Sequence, residues 1–368
     1  MAEITEDAVL DALRRVKDPD LHLDVVSLGF IRSLTIQEAR VSFTLELTTP
    51  ACPAKGLLER QVKDEVMKVP GVREVQVRLT ARVRAAAQVG DEVPLVKNTI
   101  AVSSGKGGVG KSTVAVNVAL ALHQVGCQVG LLDADVYGPN IPLMMGARGR
   151  PGRFQDRIIP VVSHGVRLIS LAFFLKEREA AILRGPMLSS TIKQFLFEVD
   201  WGELDYLIID LPPGTGDAQL TLSQAIPLTG AVMVTTPQEV SLMDVRKGTD
   251  MFLHLKVPIL GVVENMSYYV CPHGERVNIF GEGGGQRLAD EYKVPLLGQI
   301  PLDPATRQGG DEGVPIQVRA PDSAQAQAFR AVAGAVAARV SVQALRPLPL
   351  ITIHGAPGAA SNPLNLHL

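Results

Sequence analysis

The sequence predicts an α/β protein, a doubly wound and mostly parallel sheet preceded by a small α+β domain, and three observations predict it. From Asn98 onward, short apolar runs alternate with Gly-rich turns and helical stretches, the texture of strands buried on both faces. Ahead of that point the pattern changes. Val41, Phe43, Leu45 and Leu47 alternate with Ser42, Thr44, Glu46 and Thr48, which marks a strand with one wet face. Size is the third observation: 368 residues, 46% hydrophobic and 20% charged, suffice for two or three cores and exclude disordered, collagen-like and coiled-coil chains.

Taken in order, the first element is a helix within residues 3–17, with Ile4, Val9, Leu10, Leu13 and Val16 on one face. Thr5 caps it and Ile4 staples against Val9. Strands follow over 25–30 and 41–47. After a turn at 48–53 comes a helix carrying Leu57, Leu58, Val62, Val66 and Met67, stopped by Pro70-Gly71. A strand over 72–83 completes an α+β domain spanning 1–84. Residues 85–97, which include Gly90 and Pro94, read as a linker. The larger domain, 98–343, has strands predicted at 99–103, 128–133, 166–171, 206–210, 231–235, 259–265 and 296–300. Helices at 112–125, 187–197, 242–255 and 323–340 lie between and after them. This alternation puts ligands at the carboxyl ends of the strands. The segment 344–368, rich in Pro, Gly and small residues, reads as a loose tail.

Charge and composition narrow the function. Lys+Arg 36 against Asp+Glu 38 leave a formal charge of -2, so no overall field draws the chain to nucleic acid or an anionic membrane. The acidic, amphipathic start lacks the features of a signal peptide. The charge-free stretch 218–238 is interrupted by Gln219, Gln224, Pro227 and Gly230 and does not suit a lipid core. Three cysteines, an odd number in a long chain, favour a reducing compartment over a disulfide framework. The expectation is a soluble cytoplasmic protein with no nucleic-acid or membrane partner.

Gly105-Lys106-Gly107-Gly108-Val109-Gly110-Lys111-Ser112 satisfies G-x-x-x-x-G-K-[ST] between a predicted strand and a predicted helix. Glycines let successive N–H groups turn onto phosphate oxygens, Lys111 sets a cation on the β- and γ-phosphates, and the Ser112 hydroxyl ligates Mg2+. Thr113 lies in the first turn of the helix whose positive end completes the cradle. A nucleoside triphosphate with Mg2+ is the implied ligand. Two later strands end in aspartate, at Asp133-Ala134-Asp135 and at Asp210, the latter followed by Pro212, Pro213 and the hinge candidate Gly214. An apolar strand ending in Asp presents a carboxylate to Mg2+ or its water shell, which is the role read for Asp210. For Asp133 and Asp217 a helix-capping role is the alternative. Asn265 stands at another strand end, as a nucleotide contact or as a turn residue.

The second lysine of the loop, Lys106, makes the run resemble the deviant Walker A motif of the MinD, ParA and nitrogenase iron-protein ATPases. The resemblance implies a homodimer in which Lys106 reaches the partner's nucleotide, Asp135 positions the attacking water, Asp133 lies near Mg2+ and Asn265 meets the adenine. The catalytic set it implies is therefore Lys106, Lys111, Asp135 and Asp210. Further stretches, LDADVYGPNIPLMMG, RGPM, DLPPGTGD, TTPQEVSLMDVRKG and ENMSYYVCPHG, resemble the Mrp/ApbC family of iron–sulfur cluster carrier ATPases over nearly all of 98–343. Asp18-Pro19-Asp20 and Thr48-Thr49-Pro50-Ala51-Cys52-Pro53 resemble the small domain fused to bacterial members and found alone in cluster-assembly factors. Membership would imply ATP hydrolysis and passage of a cluster from an assembly scaffold to apo-proteins.

This chain departs from the family at the cluster site, a C-x-x-C pair that shares a [4Fe–4S] cluster across the dimer. Here the run is Cys271-Pro272-His273-Gly274. Two copies of Cys271 give two ligands; His273 from each subunit completes four, or added thiols do, or no cluster is held. No four-ligand zinc set is spaced nearby. Cys52 reads as the N-cap of a helix beginning at Pro53, where the helix dipole favours thiolate and fits it for cluster contact, or as a small residue filling a cap. Cys127 reads as core, and His22, His123, His164 and His254 show no metal spacing. Two other functions remain on the sequence: a MinD/ParA-type positioning ATPase, for which the proline-broken tail offers no amphipathic helix, and a nucleotide-dependent adaptor without a cluster.

Overall fold

The computed structural model describes residues 4–86, 92–136, 138–174, 185–214 and 216–345. The first unit comprises α1 (Glu6–Leu13), β1 (Ile31–Gln37), β2 (Arg40–Leu47), α2 (Lys55–Met67) and β3 (Glu74–Ala81). Thr5 caps α1 by accepting from the Ala8 amide at 3.3 Å. β1 and β2 are antiparallel, β2 and β3 parallel with α2 as the crossover. The inward residues Val41, Phe43, Leu45 and Leu47 pack against Val9 and Leu13 of α1 and Leu58 and Val62 of α2.

Residues 25–30 were expected to be a strand, and they form a turn instead. The Asp24 carboxylate accepts from the Val26 and Ser27 amides at 3.1 and 2.8 Å, and Gly29 takes φ +66°. That local bonding competes with a sheet ladder and wins. The apolar residues Val25, Leu28 and Phe30 are nonetheless buried, as anchors of the turn.

The second unit opens with β4 (Thr99–Ser104), α3 (Lys111–Gln124), β5 (Val129–Asp133) and the short α4 (Ile141–Met144). A hairpin of β6 (Gly152–Phe154) and β7 (Arg157–Ile159), the edge strand β8 (Val161–Ser163) and β9 (Val166–Ser170) come next. Then follow α5 (Gly185–Phe197), β10 (Tyr206–Asp210), α6 (Asp217–Ala225), β11 (Gly230–Thr235), α7 (Glu239–His254) and β12 (Ile259–Glu264). A second hairpin, β13 (Tyr269–Val270) with β14 (Arg276–Val277), precedes α8 (Gly284–Tyr292), β15 (Leu296–Gln299), α9 (Pro304–Glu312), α10 (Ile316–Arg319) and α11 (Ala324–Leu345). β1, both hairpins, β8, α4, α6, α8, α9 and α10 are additions to the predicted elements; each is only two to nine residues long, which leaves little sequence in which a pattern can be read.

Eight strands form one sheet in the order β15-β12-β11-β4-β10-β5-β9-β8, parallel except for β8. Ile100 and Val102 face α3 and α11, while Ala101 between them faces the layer of α5, α6, α7 and α8. The chain winds outward in one direction from β4 through β5 and in the other from β10 through β11. Strand order therefore reverses around β4 and β10, and a crevice opens at their carboxyl ends. α11 is long and apolar enough to cross a membrane by length and composition. Its Phe329, Val332, Val336 and Val340 are buried in the core cluster that also holds α3.

The two units are joined tightly. Asn98 is fully buried; its Oδ1 accepts from the Ala86 amide, and its Nδ2 donates to the Arg84 and Asp205 carbonyls, so both ends of the connecting segment are fastened to the larger sheet. Across the seam the Tyr206 hydroxyl donates to Thr49 Oγ1 at 3.1 Å. A Cβ on Gly334 of α11 would lie 3.0 Å from the Ala51 carbonyl oxygen, so glycine permits the close approach. Leu345 packs on the small domain's core. Thr49 Oγ1 also accepts from the Ala51 amide. Tyr206→Phe therefore removes one buried bond without orphaning its acceptor and is expected to cost about 1 kcal/mol. Urea unfolding monitored in both domains checks this, and an unmoved midpoint would remove the bond from the docking energetics.

Candidate functional site

The phosphate loop runs from the end of β4 into α3, where the order of the strands brings Asp210 alongside it. Asp210 pairs in register with Val102 of β4 and Asp133 of β5. Lys111 Nζ lies 2.7 Å from Asp210 Oδ1 and 3.5 Å from Asp135 Oδ2, and Ser112 Oγ donates to Asp210 Oδ2 at 2.6 Å. Lys111 is 5% exposed and Asp210 1%. One carboxylate thus gathers the cation and the hydroxyl that a Mg-bound triphosphate needs side by side. Burial raises Asp135 above the ordinary carboxylate range although Lys111 opposes it. Lys106 is half-buried and, among the described residues, makes no ion pair. Gly214 follows Asp210 at φ +94°, with its amide donating to the Ser104 carbonyl beside the loop.

Two glycines are fixed by close approach. A Cβ on Gly105 would fall 2.1 Å from the backbone carbon of Asp244 and 2.2 Å from the Val245 amide nitrogen, both in α7. Gly110 has φ +81°, and a Cβ there would meet Asn265 Nδ2 at 2.2 Å. That amide nitrogen donates to the Val109 carbonyl at 2.8 Å, which ties the strand end of β12 to the loop. Gly107 and Gly108 are exposed at the loop's tip. Beside Thr113 and Asn265 lies a cavity of about 380 Å³ walled by Leu143, Met144, Met266 and Ile300. It is of the size and apolar character suited to a nucleobase.

Asp133 is not the N-cap residue of α4, which is Asn140, but ties the end of β5 to that helix and to β9. It is buried, and its oxygens accept from Ser170 Oγ (2.9 Å), the Ile141 amide (3.3 Å) and the Asp135 amide (3.2 Å). Burial, then the charge of Asp210, push it up to about 8. Its carboxylate fixes the turn that presents Asp135. Ser170, which completes this arrangement, was missed on the sequence; its place at the end of the strand neighbouring β5 was the available signal.

Cys271 is half-buried at the turn between β13 and β14. The Gly274 amide donates to the Cys271 carbonyl at 2.9 Å, with Gly274 at φ +85° and open space where a Cβ would be. His273 is exposed. Val270, Val277 and Ile279 present apolar surface around the turn. Among the described residues no group of three or more His, Cys, Asp or Glu could hold a metal ion within one chain.

Cys52 is not a helix N-cap. α2 begins at Lys55 with Ala54 as its cap residue, because Thr49 Oγ1 accepts from the Ala51 amide and the Thr49 carbonyl from the Cys52 amide, holding 49–52 as a turn. Burial raises the Cys52 thiol from 9.0 to about 11, with Asp18 and Asp20 adding to it against the Ala54 and Lys55 amides. The expectation of a favoured thiolate is therefore reversed. Cys127 is fully buried and its thiol is pushed up to about 12, chiefly by burial. His22, His123, His164 and His254 join no metal-binding group among the described residues.

Comparison with known proteins agrees with these features. A family model described as NUBPL iron-transfer P-loop NTPase matches residues 95–337, and one described as iron–sulfur cluster assembly protein matches residues 6–78. An iron–sulfur cluster carrier protein of Synechocystis is 51% identical over 351 residues, spanning 93% of this chain and 99% of its own. A protein of the same name from Deinococcus radiodurans is 51% identical over 346 residues, spanning 93% and 98%. Among solved structures, the nucleotide-binding protein of Archaeoglobus fulgidus in complex with ADP is 41% identical, with a TM-score of 0.57 over 64% of this chain and 93% of its own.

Gly105→Ala forces loop and α7 apart, a strain of about 1–3 kcal/mol that should weaken ATP binding roughly tenfold or more; calorimetry with Mg-ATP measures it, and an unchanged Kd in a folded variant contradicts rigid packing there. For Cys52, the raised folded-state value means that the thiol contributes stability in full below about pH 9, lost as pH rises through about 11. At pH 8 its alkylation by iodoacetamide should be about a hundredfold slower in the native chain than in urea. Equal rates would mean that the seam does not bury it.

Proposed function

The chain belongs to the NUBPL-type iron-transfer P-loop NTPase family, fused to an iron–sulfur cluster assembly domain, and from that membership we propose that it is an ATP-hydrolysing carrier of iron–sulfur clusters. It works as a cytoplasmic homodimer, takes a cluster from an assembly scaffold and delivers it to apo-proteins. The observation that carries the reading is the path of the chain after β12. One strand end sets Asn265 against the phosphate loop and then leads directly to Cys271.

The residues present fit ATP and Mg2+: hard oxygen donors at Ser112 and Asp210, 2.6 Å apart, beside a loop whose Gly105 and Gly110 leave no room for a side chain. Ser112 would ligate the ion and Asp210 would hold its water, and the ion would neutralise the negative charge of the triphosphate. Lys111, released from Asp210, pairs with the β- and γ-phosphates. Asp135, 3.5 Å from Lys111 Nζ, orients the attacking water. Lys106 supplies the second cation to the partner's nucleotide, where negative charge accumulates during phosphoryl transfer. Asn265 and the adjoining cavity receive the adenine.

The cluster is cargo. Cys271 of each copy supplies a thiolate, and the exposed His273 of each supplies an imidazole, which makes a set of four shared across the dimer. Open space surrounds the Cβ position of Gly274, but its φ of +85° suits glycine and strains a cysteine, so the backbone of this turn favours the glycine.

Anaerobic reconstitution with iron and sulfide tests the reading. Wild type and Cys52→Ala should hold cluster and pass it to an apo-acceptor, while Cys271→Ala should hold none. Lys106→Ala should bind ATP but hydrolyse it about a thousandfold more slowly. A wild-type protein that retains no iron and sulfide, yet co-sediments with liposomes or DNA only in ATP, would replace the carrier with a positioning ATPase.

A further inference from the structure

After β12 the chain leaves the sheet, passes Asn265, turns at Cys271 and comes back at α8. Both feet of this excursion meet on one side chain. Glu264, the last residue of β12, is 0% exposed, and no Lys or Arg pairs with it among the described residues. Its Oε1 accepts from Ser267 Oγ at 2.5 Å and from Gln299 Nε2 of β15 at 2.8 Å; its Oε2 accepts from the Gly285 amide in the first turn of α8 at 2.5 Å. Ser267 is the outgoing foot and Gly285 the returning one. A Cβ on Gly285 would stand 2.8 Å from Glu264 Cβ, so the returning foot is seated as closely as backbone permits.

Burying a carboxylate without a cation is expensive, and an apolar residue at a strand end would stabilise the sheet as well or better. What the carboxylate provides is geometry: three donors from three elements, one of them at a helix N-terminus. Its neighbour Asn265 is bound on both sides, the backbone amide to the Thr235 carbonyl and the side-chain amide to the Val109 carbonyl in the phosphate loop. Met266 follows at φ +52°, and the Ser267 amide bonds the Ile300 carbonyl. Met266 and Ile300 also wall the cavity beside the loop. A shift of the Val109 carbonyl or of that wall therefore reaches the feet of the Cys271 hairpin through a rigid, hydrogen-bonded connection.

We propose that Glu264 is a positioning residue that transmits nucleotide state from the phosphate loop to Cys271 by clamping both ends of the segment that bears it. The proposal deepens the carrier reading and rests on it for the meaning of Cys271. It fixes where the thiol is held in each nucleotide state.

The test uses the full-length protein and the rate of Cys271 alkylation by iodoacetamide, resolved by peptide mass spectrometry, with Mg-ADP and with a non-hydrolysable Mg-ATP analogue. In wild type the two rates should differ about threefold or more. In Glu264→Gln, which turns a donor toward donors, and in Ser267→Ala, which frees one foot, the ratio should fall to about one while calorimetric affinity for ATP stays within about threefold. Only the ratio is diagnostic, since general loosening would raise both rates together. If Glu264→Gln does not fold, Ser267→Ala decides. A wild-type ratio of one, or an undiminished ratio in the folded variants, overturns the clamp. Cluster loading measured separately keeps the two readings apart: a nucleotide-sensitive thiol on a protein that loads no cluster defeats the carrier and leaves the clamp, whereas a loaded cluster with a nucleotide-insensitive thiol defeats the clamp alone.

Discussion

The buried contact of Lys111 and Ser112 with the Asp210 carboxylate is the constraint on which the nucleotide face is built. A lysine 5% exposed and an aspartate 1% exposed tolerate their surroundings only because each compensates the other at 2.7 Å. Residues 99 positions apart meet because β4 and β10 are adjacent, parallel and in register at Asp210 and Val102. The sheet order is thus a requirement of the site as well as a solution to packing. Asp133 and Ser170 extend the same logic across β5 and β9, where a buried carboxyl is held by donors and not by a cation.

Close backbone approach supplies the second constraint. Gly105 lets the loop lie on the backbone of α7, and Gly110 admits the amide of Asn265. The phosphate loop is thereby gripped from both sides, by a helix that follows β11 and by a turn that follows β12. Its conformation belongs to the whole carboxyl-end face, not to the eight residues of the motif alone.

The sequence made this face legible because its signals are local. A phosphate loop needs glycines, a lysine and a hydroxyl at fixed spacing, and each buried parallel strand announces itself as a short apolar run. The seven parallel strands of the large sheet follow those runs with boundaries shifted by at most one residue, and only the antiparallel edge strand β8 lies outside them. Where two local codes competed, the pattern misled. Residues 25–30 have strand-like composition, yet Asp24 offers their amides a nearer partner. Pro53 suits a first helical position, yet the bonds of Thr49 hold Cys52 in a turn and the helix waits for Lys55. The hub at Glu264 was illegible for a different reason: its three donors lie at sequence separations of 3, 21 and 35, and no local pattern joins them. The same holds for Tyr206 and Thr49, 157 residues apart, whose bond seats one domain on the other.

The replacement of a second cysteine by Gly274 has a consequence beyond ligand chemistry. In the proposed dimer a cluster held at Cys271 is shared between copies, because Cys271 and His273 of one chain offer only two ligands. Such a cluster stabilises the paired state by mass action, and anything that shifts the two hairpins relative to one another acts directly on its affinity. With four cysteines, distortion of the pair would loosen strong thiolate bonds one at a time. With two, each thiolate carries a larger share of the binding, and a smaller displacement suffices to let the cluster go. A poorer ligand set is therefore consistent with a carrier whose task includes release, provided that the position of Cys271 is firmly coupled to the nucleotide.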